Sequence, residues 1–209
     1  MSVESSLSPR AARTRTALVA AGFNLLAVKP IDAIPIDEVV AKAGVAKGSF
    51  FNHFADKQAF AAAIATEVRL ELEEEVGRAN RDVACPLERI AGGMFVGARF
   101  AIDHPTRTAV LLRSSAGVTA RAHPLNKGVA EDFDEACKRG LLRDEARGSG
   151  VLYWLGLCQV LMANLLERPR TPADIERRIN EMVMLGLTGL GIAEAKAATI
   201  IAWSKERIG

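Results

Sequence analysis

The segment that most constrains the fold of this chain is PIDEVVAKAGVAKGSFFNHFADK, which runs from Pro35 to Lys57. Two short stretches of helical spacing lie on either side of Gly44, and a glycine ends a helix well because it adopts the left-handed backbone conformation. Asp37 and Glu38 stand in the first turn of the first stretch, where the positive end of the helix dipole favours anions. The segment therefore predicts two short helices joined by a tight turn, the helix-turn-helix arrangement.

Helical spacing of apolar residues continues along most of the chain, and patterns typical of strands are nearly absent. Prolines and glycines divide it into predicted helices, which are Pro9 to Val28, Pro35 to Ala43, Lys47 to about His53, Asp56 to about Arg78, Leu87 to Asp103, Thr106 to Ser115, Leu125 to Arg139, Val151 to Glu167, Ala173 to Gly189 and Glu194 to Arg207. We therefore predict an all-α protein. A three-helix N-terminal helix-turn-helix head covers residues 9–56, and a larger helical body covers residues 57–209.

Composition agrees with a folded soluble protein, because apolar residues make up 49% of the chain and charged residues 25%. The three cysteines are far apart and lack the spacing of a metal site, which favours a reduced cytoplasmic interior. The N-terminus shows no signal peptide. The net charge of +2 falls entirely within residues 1–57, which contain seven Lys or Arg and five acids. An excess this small is informative only together with a motif.

Residues Lys47 to Lys57 comprise a short helix and the start of the next one, and the short helix has an inner apolar face and an outer, mainly polar face. Phe50 and Phe54 are four residues apart and share the inner face, and Phe60 is expected to join them in the core. The outer set is Lys47, Gly48, Ser49, Phe51, Asn52 and His53, with Lys57 in the next helix. Such side chains reach phosphates and base edges, so they are candidate DNA contacts, while a merely solvated face is the alternative. For Phe51 core and contact remain equally open.

The run VVAKAGVAKGSFFNHFADKQAF resembles the DNA-binding domain of the TetR family of bacterial transcriptional regulators, over a segment from about Arg13 to Ile64. The resemblance implies that the outer set and Lys57 contact double-stranded DNA. Four positions depart from the family pattern. Phe51 stands where tyrosine is usual, Pro35 where threonine often caps the helix, Ala46 where serine is frequent and Val40 where alanine is frequent. These departures leave the fold intact and place the DNA affinity in question.

For the body, the resemblance implies a homodimer, a roughly palindromic operator and a small-molecule effector. Val151 to Leu166 is apolar on nearly all sides and too short to span a bilayer, so it predicts a buried helix. With the stripe Ile175, Ile179, Met182, Val183, Gly186 and Leu190, it forms either a dimer interface or the body's own core. Candidate effector contacts are Phe95, Arg99, Phe100, Trp154, Cys158 and Met162, for which plain packing is the alternative.

Signals of an enzyme are weak. The three histidines have no metal-ligand spacing, and no Ser/His/Asp grouping is evident, so we expect no cofactor, no metal and no catalysis. Gly148, Ser149 and Gly150 lack the strand and lysine of a phosphate loop and predict a plain turn. The sequence thus favours a DNA-binding transcriptional regulator, most simply a repressor released by a small ligand. The alternative is an all-helical ligand-binding or catalytic protein with a vestigial helix-turn-helix.

Overall fold

The computed structural model describes residues 8–113, 121–167 and 170–208, and these contain ten α-helices and no strand. The helices are α1 (Pro9–Leu26), α2 (Ile36–Ala43), α3 (Lys47–Phe51), α4 (Lys57–Ala79), α5 (Pro86–Asp103), α6 (Pro105–Arg113), α7 (Lys127–Lys138), α8 (Ala146–Glu167), α9 (Pro172–Gly189) and α10 (Glu194–Ile208). The prediction of an all-α protein is confirmed. All bounds except the start of α8 agree closely with the sequence pattern, and Ser115, predicted to end α6, lies outside the described residues.

Packing divides the chain into two compact units, and the division falls inside α4 between Val68 and Arg69. The first unit contains α1, α2, α3 and the first half of α4, together with a short segment that begins at Ala109. The second unit contains the rest of α4, all of α5, the beginning of α6 and the helices from α7 onward.

In the first unit, α1 buries one stripe that includes Leu18, Gly22, Leu25 and Leu26. The beginning of α4 packs on this stripe very closely. A Cβ built on Gly22 would meet the Phe60 ring and would lie 2.6 Å from the Cδ1 of Ile64. A glycine at position 22 is therefore required by the close approach of α4 to α1.

The turn of the helix-turn-helix forms by a Schellman arrangement at the end of α2. Gly44 has a φ of +67°, in the left-handed region that glycine adopts without strain. The Gly44 N–H donates to the Ala41 carbonyl at 3.2 Å, and the Val45 N–H donates to the Val40 carbonyl at 3.0 Å. These bonds satisfy the free carbonyls at the end of α2 and turn the chain toward α3, which begins only three residues later.

The N-termini of α2 and α3 lack side-chain caps, whereas α4 has one. Pro35 and Ala46 occupy the two N-cap positions and make no side-chain bond there, which agrees with the departures noted in the sequence. Before α4, the Oδ1 of Asp56 accepts from the Ala59 N–H at 2.7 Å and so caps this helix. The helix after α3 is therefore anchored better than α3 itself.

The second unit is built around an apolar core contributed by α5, α7, α8, α9 and α10. Its largest fully buried side chains include Trp154, Phe100 and Phe133. Ionic contacts at its edge join α5 to α7, since Arg89 Nε lies 2.6 Å from the Oδ1 of Asp132. This core positions the cavity described below.

Helix α8 begins at Ala146, five residues before the predicted start, and the turn predicted at Gly148, Ser149 and Gly150 is wrong, because all three are helical. Tertiary packing explains the difference. A Cβ on Gly150 would lie 2.6 Å from the Cε1 of Phe133, so the glycine allows α7 to approach α8 closely. The low helix propensity of glycine is outweighed by this contact.

The full helix α8 has 22 residues and, by length and composition alone, could cross a membrane, a test that the core helix of a soluble protein also passes. The prediction of burial holds for one face only, because 33% of its most apolar window is buried within the chain. Leu152 and Val160 on α8 are 58% and 62% exposed, and Leu185 on α9 is 63% exposed. The apolar stripe predicted on α9 belongs to the chain's own core. Its residues Ile179, Val183, Gly186 and Leu190 are buried there.

Candidate functional site

Helix α3 presents a polar outer face and an apolar inner face. Lys47, Gly48 and Asn52 are exposed, and Ser49 and His53 are half-buried. The side chain of Phe51 is 54% exposed, although Phe50 beside it is completely buried. The structure therefore brings together the six outer residues predicted from the sequence and excludes Phe51 from the core.

A cluster of three aromatic rings supports α3 from behind. Phe50, Phe54 and Phe60 have ring centroids 4.8 to 5.7 Å apart, and each ring is at most 5% exposed. Tilted and edge-on ring pairs of this kind stabilise a core beyond their buried area. The prediction that these three are core residues is confirmed, and the cluster holds the short α3 in place.

Lys47 has a carboxylate partner within the helix-turn-helix. Its Nζ lies 2.8 Å from the Oδ1 of Asp37, in the first turn of α2, and both side chains are more than half exposed. An exposed pair of this kind contributes little to stability. Lys47 is therefore available to another anion at a small energetic cost, and Asp37 places a negative charge beside it.

Lys57, the other basic residue of the predicted set, faces the loop before α2. Its Nζ donates to the carbonyls of Ile31, Asp32 and Ile34 at 3.2 to 3.3 Å. These carbonyls belong to the short 3-10 turn Ile31–Ala33 and the residue after it. In this conformation Lys57 ties the start of α4 to that turn, a structural role that sequence spacing did not indicate.

Two further cationic contacts in the first unit were not found from the sequence. Lys29 Nζ lies 2.7 Å from the Oε2 of Glu38 on α2, and Arg113 donates to the Leu26 carbonyl at 2.8 Å. Arg113 thus caps the end of α1 from a segment more than eighty residues away in sequence. Only tertiary folding brings such groups together, so no local signal was available for them.

The second unit contains a cavity of about 280 Å³ that is partly open to solvent. It is bounded by α4, α5, α7 and α8, with Gly93, Gly97 and Gly128 leaving room in its walls. Its apolar lining comes from Leu72, Val76, Ile90, Val129, Trp154, Leu155, Cys158 and Met162, and its polar lining from Arg69, Glu73, Asn80, Arg89, Glu131 and Asp132. We call this space the core cavity.

The six candidate effector residues lie in three different surroundings. Trp154, Cys158 and Met162 line the core cavity together. Phe95 and Arg99 line a separate groove of about 450 Å³ between α5, α9 and α10. Phe100 is buried and lines neither space. Arg99 has an anionic partner on its own helix, because its Nε lies 3.1 Å from the Oδ2 of Asp103.

The core cavity contains polar residues that the sequence pattern did not single out. The acidic run Glu71 to Glu75 reads as a solvated face, yet Leu72 within it is buried and Glu73 lines the cavity. Arg69 is only 8% exposed, and its Nη2 lies 2.6 Å from the Oε1 of Glu73. An arginine among the apolar positions of α4 was the available signal.

Burial dominates the electrostatics of the core cavity. It raises the pKa of Glu73 and of Asp132 in spite of the arginine beside each carboxyl group. Burial also raises the pKa of the Cys158 thiol to about 12, so this thiol remains protonated at neutral pH. Among the described residues, no group of three or more His, Cys, Asp or Glu is placed to hold a metal ion.

Comparisons with known proteins agree with this arrangement. Residues 18–64 match the family model described as bacterial regulatory proteins, tetR family. No curated protein sequence matches the chain.

Several solved structures share the fold over most of the chain. A gamma-butyrolactone receptor described as ArpA-like is 23% identical with a TM-score of 0.60, covering 96% of this chain and 100% of that chain. RolR in complex with resorcinol is 19% identical with a TM-score of 0.56, covering 92% and 95%. FadR from Bacillus subtilis in complex with stearoyl-CoA is 14% identical with a TM-score of 0.61, covering 83% and 98%.

The match to the family model spans α1 from Leu18, the complete helix-turn-helix and the beginning of α4 to Ile64. It therefore includes every residue of the outer face of α3 and the aromatic cluster behind it. The solved structures add the same all-helical architecture in the body. By this N-terminal match and by its fold, the chain is similar to the TetR family of bacterial regulatory proteins.

Proposed function

We propose that the protein is a transcriptional regulator that binds double-stranded DNA through α3 and is released by a small molecule, which makes it a repressor. One observation carries the proposal. The short helix α3 exposes lysine, amide and aromatic groups on one face, while a buried cluster of three rings fixes the opposite face. A helix this short is stable only through tertiary packing, and the cluster fixes the orientation in which α3 presents its outer face, as a helix that enters the major groove requires.

The contacts follow from the chemistry of each side chain. Lys47 is placed to bind a phosphate, and Asn52 and His53 carry donors and acceptors for base edges. Phe51 has no hydroxyl group, so its exposed ring provides only an apolar contact, such as one with a thymine methyl group. Gly48 has nothing within 4 Å of a built Cβ and leaves space for the DNA backbone.

A homodimer is part of the proposal. One reading helix of five residues binds weakly, and two of them on a two-fold axis would contact half-sites of a roughly palindromic operator about one helical turn apart. The exposed apolar residues Leu152, Val160 and Leu185 support a dimer surface formed by α8 and α9. A dimer interface at this surface would also cover the apolar face of α8 that is exposed in the single chain.

The core cavity supports an effector site. Its volume of about 280 Å³ approaches the lower end of the range for small-molecule sites, and both apolar and polar groups line it. The similar structures include a gamma-butyrolactone receptor and a complex with resorcinol, which shows that this architecture accommodates small ligands in other proteins. A regulator of this kind acts in the cytoplasm, which we propose as its location.

The test is a mobility-shift titration against the DNA upstream of its own gene, at two salt concentrations. We expect a sequence-specific complex whose affinity falls steeply with salt. Lys47→Ala is the test variant, and Lys138→Ala is the matched control, because Lys138 is exposed at the end of α7 in the other unit. If no complex forms, or if its affinity depends on neither salt nor sequence, the proposed function is wrong.

A further inference from the structure

A groove and a pocket lie next to each other on the second unit and share part of their walls. The groove, of about 450 Å³, runs between α5, α9 and α10, and we call it the apolar groove. The pocket, of about 390 Å³, lies between the end of α4, α5 and the end of α10, and we call it the arginine pocket. Both are open to solvent, and neither shares a lining residue with the core cavity.

The apolar groove offers a hydrophobic surface to a ligand. Its apolar lining comes from all three helices and consists of Phe95, Ile102, Pro172, Ile175, Ile179 and Ile208. Of its four charged side chains, Arg99 pairs with Asp103 on the same helix. Lys205 on α10 pairs with Glu176 on α9, so the four charges sum to zero. Ile102 is 37% exposed, and a ligand that covers it removes apolar surface from water. The part of a ligand that lies here is therefore apolar.

The arginine pocket has an excess of positive charge. It is lined by one carboxylate, Glu75, and by three guanidinium groups, those of Arg78, Arg99 and Arg207. This leaves two positive charges, and one remains when Asp103, the partner of Arg99, is counted as well. The Nη2 of Arg78 lies 3.9 Å from the Oε1 of Glu75, beyond hydrogen-bond distance, and the Arg78 side chain is 64% exposed. An exposed pair of this kind is weak, so Arg78 is available to another anion.

Arg207 is held in the arginine pocket by neutral partners. Its Nε and Nη2 donate to the carbonyls of Ala79 and Arg81 at 3.0 and 2.6 Å, and its guanidinium lies 5.6 Å from the centre of the Trp203 ring. No carboxylate in the described part of the chain forms an ion pair with Arg207. Its hydrogen bonds also cover the carbonyl end of α4, whose partial negative charge would otherwise repel an anion. The charge of Arg207 is therefore both fixed in position and uncompensated.

The shared wall makes the groove and the pocket one continuous site. Arg99 and Ile208 line both, so a chain that lies in the apolar groove ends beside the arginines. We propose that this site binds a single-chain amphipathic anion, with an alkyl or acyl chain in the apolar groove and an oxyanion head group, a phosphate or carboxylate, in the arginine pocket. Guanidinium groups bind such oxygens through charge-assisted hydrogen bonds. The site is separate from α3 and from the core cavity, so this inference does not rest on the proposed function.

The test compares octyl phosphate with 1-octanol, which has no charge, and with octyltrimethylammonium, which is a cation. Binding to the full-length protein without DNA is measured by ligand-observed NMR and by thermal unfolding. Octyl phosphate is expected to bind with a Kd on the order of 1 mM, as suits a weak ligand of this size. The other two probes should bind at least about tenfold more weakly, because they form no charge-assisted hydrogen bond. Equal or tighter binding of either one, or no binding of octyl phosphate at about 10 mM, roughly ten times the expected Kd, overturns the proposal.

Chain length tests the apolar groove. Complete burial of one methylene group strengthens binding about fourfold, and about twofold is expected for partial burial in an open groove. Octyl phosphate should therefore bind roughly fourfold to sixteenfold more tightly than hexyl phosphate, and equal affinities overturn the proposal.

Ile102→Gln should weaken octyl phosphate binding by about threefold or more, because it removes apolar surface from the groove. Leu70→Gln is the matched control, since Leu70 is another exposed apolar residue of a helix in this unit and lines neither space. Undiminished binding by the Ile102→Gln protein places the chain elsewhere and refutes the inference.

A double variant, Arg78→Gln with Arg99→Gln, tests the arginine pocket. It should weaken both alkyl phosphates by about tenfold without changing the ratio of their affinities, because the head group loses two exposed ionic contacts and the chain loses none. The matched control is Arg177→Gln with Arg139→Gln, two exposed arginines that pair with an acid three or four residues away and line neither space. Unchanged affinity in the test variant, with thermal unfolding showing that it is folded, overturns the proposal.

A membrane surface that carries phosphate groups offers the same head-group chemistry as a soluble alkyl phosphate. Cosedimentation with phosphatidylcholine vesicles that contain phosphatidic acid distinguishes the two. We expect the vesicles not to sediment the protein, because a groove between three helices takes up one chain and not the packed chains of a bilayer. Cosedimentation that the double arginine variant abolishes would identify a bilayer as the ligand and overturn the proposal.

Discussion

The ion pair between Lys47 and Asp37 leads to a prediction about DNA affinity. In the free protein the two groups lie 2.8 Å apart, and their side chains are 58% and 70% exposed. When the protein binds an operator, Lys47 must leave this carboxylate to bind a phosphate. Asp37 then remains close to the DNA, whose negatively charged phosphates repel it. We therefore expect Lys47→Ala to weaken binding and Asp37→Asn to strengthen it.

The magnitudes follow from the exposure of the pair. Two unit charges about 4 Å apart in water interact by about 1 kcal/mol, which corresponds to about fivefold in affinity. Asp37→Asn should therefore raise the affinity of each reading helix by up to about fivefold at low salt. Lys47→Ala should lower the slope of log K against log salt by about 0.9 per helix, the value for one phosphate contact. Because the pair is exposed, the free energy of unfolding should change by less than about 1 kcal/mol in either variant.

The assay is fluorescence anisotropy with the operator DNA at four salt concentrations, with chemical unfolding measured in parallel. Glu74→Gln is the matched control for Asp37→Asn, because it removes one exposed acid from α4 outside the first unit. The gain from Asp37→Asn should also shrink when Lys47 is already alanine, since part of the effect is competition for Lys47. An Asp37→Asn protein that binds DNA no more tightly than the parent at any salt concentration refutes this reasoning.

Four further predictions concern the aromatic position, the packing of α1, the apolar surface and the buried thiol. Phe51→Tyr adds a hydroxyl group to an exposed ring and should tighten operator binding by up to about tenfold if it bonds to a phosphate; unchanged affinity in the same titration would show that position 51 does not reach the DNA backbone. Gly22→Ala should lower the free energy of unfolding by about 1 to 3 kcal/mol through overpacking against Phe60 and Ile64, as measured in urea, and an unaffected midpoint would contradict the close packing. Leu152→Glu with Val160→Glu should yield a folded monomer in sedimentation velocity, because both side chains are exposed within one chain, and a persisting dimer would place the interface elsewhere. In a variant whose other two cysteines are serine, Cys158 should react with iodoacetamide at pH 8 orders of magnitude more slowly in the folded protein than in denaturant, because burial raises its pKa to about 12; rapid alkylation of the folded protein would contradict that burial.

Much of the head could be predicted because its signals are local. Gly44 and Asp56 mark helix ends through backbone conformation and a single side-chain bond, and both depend on residues within five positions. The four-residue spacing of Phe50 and Phe54 indicates a shared inner face whatever lies behind it. Phe51 could not be assigned, because the neighbouring helices decide which of two adjacent rings is buried.

The candidate effector site was less predictable because its residues are distant in sequence. Apolar and sulfur-containing residues on α5 and α8 were reasonable candidates. The orientation of the two helices, however, places Phe95 in the groove between α5, α9 and α10 and Trp154 in the core cavity. The polar wall was missed because Glu73 stands in an acidic run that resembles a solvated face, and Arg69, which lies among apolar positions just before that run, was not singled out. The helical state of Gly148 to Gly150 was missed because the ring of Phe133, on another helix, makes a glycine favourable there.

The sequence by itself determined that the chain is all-helical, that its N-terminal part forms a helix-turn-helix, and which polar residues lie on the outer side of α3. These features depend on spacing, capping and turn conformation, which act between near neighbours. Only the tertiary structure decided that Phe51 is exposed, that Lys47 pairs with Asp37, that α8 leaves an apolar face uncovered, and that Arg69 lies in the wall of a cavity. Each of these depends on side chains from several helices, and the periodicity of a single helix contains no information about which residue of another helix it meets.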